Sequence, residues 1–289
     1  MGRSLSRNDL IASHYTLTGA GVLDPARFSF EERVAAAARA GFAAIGIEAS
    51  SYALARKSGL SDRDMQAVLA EHDIVVGEIE FLYDWAHGAE RGARARRLED
   101  RLYEMADLFE PHHLNVGEMG PAAEMDELAA VAERFAGVCE RAQAHRGLPV
   151  AIEFLPWTGI PDAGAAWEIA RQAGYANGGV LVDAWHYFRG AADAAQIRAI
   201  PGTRVHAVQL DDADATQVGE LVEDTIERRR LPGAGAFDLT GLIRLLDEIG
   251  VVAPLSVEIL STEHRALSVD EAARRAYDST RAAVTAARA

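Results

Sequence analysis

Short apolar runs alternate with amphipathic, alanine-rich stretches along the whole chain, and the alternation repeats eight times. Strand-like runs fall at 10–17, 43–48, 74–80, 113–116, 150–155, 180–183, 205–210 and 255–260. Helical patterns follow at 30–40, 62–71, 90–109, 123–145, 162–173, 191–199, 239–249 and 268–287. Gly41, Gly174 and Gly250 stand where a helix ends in a left-handed residue, and Ser61 and Asp238 where a side-chain oxygen caps a first turn. Spread over 289 residues, eight pairs average about 36 residues each, the size of a βα unit. The runs are nearly continuous in apolar character, as in parallel strands covered on both faces. This predicts an α/β protein, a (β/α)8 TIM barrel. No linker or low-complexity stretch divides residues 1–289, so one domain is expected. The rival is an open doubly wound sheet, which carries G-x-G-x-x-G after its first strand when it binds dinucleotides. Here 13–21 contains Gly19 and Gly21 without that pattern.

Charge narrows the partners. With 29 Lys and Arg against 44 Asp and Glu, the net charge of −15 disfavours nucleic acid and anionic membranes. The single cysteine, Cys139, excludes an intramolecular disulfide and a multi-thiolate zinc site, and fits the cytoplasmic location expected here. No apolar run approaches the roughly 18 residues of a membrane span, and 1–15 lacks a signal-peptide core. Gly2 and Ser6 match the short myristoylation pattern, a weak signal. The expected partners are a small carbohydrate-like molecule and, at most, further copies of the same chain.

A barrel carries its chemistry at the C-terminal ends of its strands. The last four strands read VAIEF, VLVDAWH, VHAVQLD and SVEI, placing Glu153, Asp183, Gln209 and Glu258 inside or at the end of apolar runs. One buried carboxylate is commonly satisfied by backbone or arginine. Three converging on one mouth repel one another, and something positive must hold them. Three anionic donors and one neutral oxygen suit a hard divalent cation, Mn²⁺ or Mg²⁺. His14, Glu48 and Glu80 end earlier strands and Trp157 follows strand 5, so each is a candidate for the mouth. Trp157 and Trp185 are equally good core residues. His206 is out of phase with Gln209 and is expected to pack outward. His112 and His113 open strand 4 and read as structural. Asp211 or Asp212 is a candidate to hold a ligand or an arginine. The long stretch 211–237 is expected to be a lid carrying Arg230.

Glu153 in AIEFLPW, Asp183 and His186 in LVDAWH, Gln209 and Asp211 in AVQLDD, Arg230 to Gly235 in RLPGAG, and Glu258 in SVEIL resemble the sugar phosphate isomerase/epimerase family. That group of xylose isomerase-like TIM barrels includes ketose 3-epimerases, hydroxypyruvate isomerases and inosose dehydratases. The motifs span 150–260; the first half matches in its strand–helix rhythm. The resemblance implies that Glu153, Asp183, Gln209 and Glu258 ligate the metal, that His186 and Arg230 contact substrate, and that Glu153 and Glu258 exchange protons on opposite faces of the substrate. Two positions depart from the family pattern: Gln209 stands where many relatives have histidine, and Ala234 where the P-G-E-G turn has glutamate.

The expected activity is therefore that of a metal-dependent sugar, sugar-phosphate or keto-polyol isomerase or epimerase acting through a stabilised enolate. A dehydratase of a keto-sugar or inosose shares the first step. A non-catalytic ligand-binding barrel is the alternative of another class, disfavoured because unused buried carboxylates cost stability. The endonuclease branch of the superfamily uses clustered histidines that this chain lacks. There is no P-loop, G-x-S-x-G or H-E-x-x-H.

Overall fold

The sheet closes on itself. Eight parallel strands, β1 (Leu10–Ala12), β2 (Ala44–Glu48), β3 (Val75–Leu82), β4 (His113–Val116), β5 (Val150–Glu153), β6 (Gly178–Asp183), β7 (Val205–Leu210) and β8 (Leu255–Val257), pair in sequence order, and β1 pairs with β8. The computed structural model describes residues 4–289, apart from the side chain of Ala89; Gly2 lies outside the described residues. The helices are α1 (Phe30–Ala40), α2 (Ala49–Lys57), α3 (Asp62–Glu71), α4 (Ala89–Phe109), α5 (Leu128–Gln143), α6 (Ala163–Ala173), α7 (Ala184–Arg189), α8 (Ala194–Arg198), α9 (Leu221–Glu227), α10 (Leu239–Glu248), α11 (Thr262–Arg265) and α12 (Val269–Arg288). Among the described residues no helix is long and apolar enough to cross a membrane.

Local chemistry sets these boundaries. Ser29 with Glu32 and Ser61 with Asp64 form capping boxes on α1 and α3, and Gly41 ends α1 in the left-handed region. The first apolar run divides: β1 stops at Ala12, and His14–Leu17 forms a 3₁₀ turn. Thr16 explains the break, because its hydroxyl donates to the Val257 carbonyl at 2.7 Å and accepts from the Ile259 amide at 3.0 Å. Four short helices that the apolar pattern did not separate, α2, α7, α9 and α11, occupy loops on the C-terminal side of strands. Two of them start on the last residue of a strand: Glu48 caps α2 and Asp183 caps α7.

Strand alternation divides the core. One set of strand side chains packs against the helices; the other fills the barrel, where Ala151, Leu181 and Ala207 form a small apolar cluster of their own. In phase with that inner set, towards the strand ends, stand Glu153, Asp183 and Gln209. Across the barrel, Ser256 donates to Glu78 at 3.0 Å, and Glu78 lies 3.4 Å from buried His113. Close packing leaves no slack in β6. A Cβ on Gly179 would stand 2.3 Å from the Arg204 carbonyl and 2.4 Å from the His206 ring. Gly179→Ala is therefore expected to destabilise the fold by about 3 kcal/mol, read as a lower urea midpoint at unchanged m-value.

Candidate metal and active site

The four strand-end residues meet at the mouth of the barrel. Asp183 is fully buried and uses both oxygens: Oδ1 accepts from the His186 amide at 2.9 Å, and Oδ2 accepts from Arg229 Nη1 at 2.7 Å. The D-x-x-H spacing is thus a helix cap, which turns His186 back over the strand that carries Asp183. His186 Nε2 lies 3.2 Å from Glu153 Oε1. Glu258 accepts at Oε1 from the Ser13 hydroxyl at 2.8 Å and from Gln209 Nε2 at 3.4 Å, and at Oε2 from Arg229 Nη1 at 3.1 Å.

Arg229 is the cation of the site. It is 2% exposed, and its Nη1 also reaches Asp211 Oδ2 at 2.5 Å. Its Nη2 donates to the Thr225 hydroxyl at 2.9 Å and lies 3.3 Å from His186 Nε2. Arg230, the arginine expected to reach substrate, points the other way: it is 40% exposed, bonds Asp214 at 2.9 Å and lies 3.6 Å from Glu263. An antiparallel bridge between Asp212 and Arg230 fixes this alternation, so the neighbouring side chain turns inward. Asp212 fastens the following turn, accepting from the amides of Gly233, Gly235 and Phe237 at 3.0 Å each.

A cavity of about 130 Å³ opens above these residues. Glu80, Glu153, His186, Arg229 and Glu258 form its polar floor, and Tyr15, Phe81, Met119, Leu155 and Trp157 are among its apolar walls. Trp157 stands edge-on to His186 with ring centres 5.4 Å apart. Glu80 is buried, with Asn115 donating to it at 3.3 Å. His14 does not line the cavity: the 3₁₀ turn carries it to Arg33, at 3.2 Å, and its neighbours Ser13 and Tyr15 face the site instead. Glu48 is occupied in capping α2. Trp185 is fully buried beneath Trp157 and His186. The stretch 211–237 holds a helix, α9, and Arg229 lies two residues past its end. Three adjacent arginines, Arg228 to Arg230, give no sequence signal for which one turns inward; Tyr15 and Ser13 stood hidden in what read as a strand.

Crowding sets the protonation. Burial pushes Glu153 and Glu258 up to about 8, with Asp183 adding to both. Burial and the neighbouring Asp183 raise Asp211 well above the carboxylate range. Burial also pushes on Asp183, but Arg229 and the His186 amide together hold it below its ordinary value. Burial lowers His186 to about 4, so the imidazole is neutral. The folded, metal-free chain thus keeps protons on Glu153 and Glu258 to about pH 8, whereas the unfolded chain releases them near 4.5. Below about 6.5 the buried histidines oppose this trend, because they stay neutral in the fold and charge when it opens. Between pH 6.5 and 8 only the acids count, and the metal-free protein is expected to lose several degrees in Tm. Melting curves in chelator that stayed flat or rose across that interval would contradict it.

The donor set fits a divalent cation. Gln209 Oε1 and His186 Nδ1 are buried without a hydrogen-bond partner. Glu153, Asp183 and His186 each offer one donor atom within 4.8 Å of the other two. Carboxylate and carboxamide oxygens in this proportion are hard donors.

Residues 34–282 match the family model described as xylose isomerase-like TIM barrel. A 3-dehydroshikimate dehydratase of Pseudomonas aeruginosa is 29% identical over 238 residues, 81% of this chain but 37% of that protein. An inosose isomerase of Halalkalibacterium halodurans is 30% identical over 136 residues, 46% of this chain and 47% of that protein. The chain thus spans less than half the length of these two relatives in the matched regions. Among solved structures, the IOLI protein with a binding zinc atom superposes with a TM-score of 0.85 at 19% identity, covering 96% of this chain and 98% of that one. The closed eight-stranded barrel and the match over 34–282 lead to one conclusion: the chain belongs to the xylose isomerase-like TIM barrel family.

Proposed function

We propose that the chain is a divalent-metal-dependent isomerase or epimerase of a neutral cyclic hydroxy-ketone. The observation that carries this reading is the convergence of Glu153, Asp183, Gln209 and Glu258 at one end of the barrel: Glu153 and Glu258 line the cavity, Asp183 joins Glu258 through Arg229, and Gln209 donates to Glu258 with its own carbonyl oxygen left unpartnered. These four would hold the cation, and their oxygens favour Mn²⁺ or Mg²⁺. The bound cation would supply Lewis-acid stabilisation of negative charge on a substrate carbonyl oxygen. Glu153 and Glu258 enter from strands three apart in the barrel and address a ring from different sides. One takes the proton from the carbon beside the carbonyl, and the other returns a proton to that carbon or its neighbour. The Ser13 hydroxyl orients Glu258, and neutral His186 lies beside Glu153 to meet a substrate hydroxyl. Trp157, Phe81 and Met119 offer apolar surface to the faces of a ring and keep water from it.

Charge selects the substrate. Among the described residues, the one arginine lining the cavity, Arg229, is already engaged by Asp183, Asp211 and Glu258, and Glu80 adds a further acid to the floor. A phosphate or a carboxylate on the substrate would meet no free cation there. This favours a neutral keto-polyol such as an inosose over a sugar phosphate. A second reading, dehydration, is favoured by the 3-dehydroshikimate dehydratase relative, which matches more of the chain. The substrate in that relative's name bears a carboxylate, which this cavity is poorly built to receive.

The test is product identity. Metal-loaded protein would be incubated with inososes, ketoses, their phosphates and 3-dehydroshikimate, and followed by NMR. Conversion of a neutral ketone to an epimer or isomer is expected. Loss of water from 3-dehydroshikimate with no turnover of neutral ketones would overturn the isomerase reading in favour of the second.

A further inference from the structure

A second group of metal-type donors lies outside the cavity, where the chain leaves β3 and β4. Asp84 and His87 follow β3 and Glu118 follows β4; one donor atom from each lies within 4.8 Å of the other two. Glu118 is fully buried and His87 is 7% exposed. Glu118 Oε1 accepts from the Ala86 amide at 2.8 Å. Its other oxygen, Oε2, is buried without a hydrogen-bond partner, although it stands 3.1 Å from His87 Nε2.

His87 Nε2 stands between two groups, Arg91 Nη1 at 3.3 Å and Glu118 Oε2 at 3.1 Å. A proton on either Glu118 or Nε2 can join the last pair, and a cation bound there takes that proton's place. Metal–ligand bonds of about 2.0–2.2 Å place neighbouring donors roughly 3.0–3.5 Å apart, and His87 Nε2 and Glu118 Oε2 stand 3.1 Å apart. Asp84 supplies the third donor; its backbone is in the left-handed region, with φ of 62°, and Arg91 and Arg94 border it at 3.8 and 3.4 Å. Arg91 keeps a separate partner in Glu124, at 2.8 Å, when Asp84 turns to an ion.

We propose that Asp84, His87 and Glu118 form a second divalent-cation site, separate from the cavity, which clamps the segment after β3 to the segment after β4. One imidazole nitrogen and two carboxylate oxygens suit Zn²⁺, with water completing the shell. The clamp is structural. It fixes the ends of two strands whose neighbouring residues, Phe81 and Met119, form part of the cavity wall. The inference does not rest on the cavity's proposed chemistry.

The experiment is zinc stoichiometry. Protein stripped with chelator would be loaded with Zn²⁺, passed through a desalting column and assayed for bound metal. The panel is the unaltered chain, Glu118→Gln, His87→Asn, Glu153→Gln and the double variant Glu153→Gln/Glu118→Gln, each checked for folding by circular dichroism. Two equivalents are expected for the unaltered chain, one for each single variant and none for the double. If Glu118→Gln fails to fold, His87→Asn alone decides, since it keeps a polar side chain of similar reach. Equal zinc in the unaltered chain and in His87→Asn would overturn the proposal. A single equivalent lost in His87→Asn but kept in Glu153→Gln would uphold it while counting against metal at the cavity.

Discussion

Replacing Arg229 by methionine is expected to destabilise the metal-free protein by about 3–5 kcal/mol, the cost of stranding buried charge. Nη1 bonds Asp183, Asp211 and Glu258 together, and among the described residues no other Lys or Arg is paired with them. Methionine matches the length of the stem but leaves these acids to repel one another or to take up protons. The expected Tm loss in chelator is roughly 10 °C for a chain of this size. Added Mn²⁺ should recover much of it, because a divalent ion compensates the same carboxylates. A variant that melted within a degree or two of the unaltered protein in chelator would show that Arg229 is not the compensating charge.

In protein kept saturated with metal, Glu258→Gln is expected to lower turnover of the enolisable ketone by about 10²–10⁴-fold, the usual contribution of a positioned acid–base group. Glutamine keeps the shape and can still accept the Ser13 hydrogen bond, so the fold should persist. What it loses is the ability to take and return a proton. KM should move much less than kcat, because an interaction confined to the proton-transfer step leaves ground-state binding largely intact. Loss confined to KM, with kcat unchanged, would remove Glu258 from the acid–base role and leave it a binding residue.

The barrel was legible because its strands are buried on both faces and its helices are punctuated by glycine and capping residues. The polar positions of the last four strands were legible for a related reason: a carboxylate inside an apolar run has few reasons to be there. Arg229 was not legible. It stands in a run of three arginines, and the antiparallel bridge between Asp212 and Arg230 decides which one enters the site. His14 misled because the apolar run continues through it, while the Thr16 hydroxyl breaks the strand by bonding across to β8. Glu48 and Asp183 show the same limit from the other side. Both end a strand and cap a helix, yet only Asp183 has a second oxygen committed to Arg229 in the site. Such distinctions depend on tertiary contacts that no local pattern carries. The pairing of Glu78 with His113 inside the barrel is of the same kind, since the two residues belong to neighbouring strands and meet only when β3 and β4 pair.

Solvent-deuterium uptake tests enolisation at this site most directly. Protein stripped of metal, then reloaded with Mn²⁺ or Mg²⁺, would be incubated in D₂O with a panel of inososes and ketoses, and the carbon beside the carbonyl followed by NMR. Metal-dependent exchange at that carbon is expected in the unaltered protein, with its loss in metal-saturated Glu258→Gln. No exchange with any of these ketones, in protein shown to hold metal, would contradict enolisation at this site.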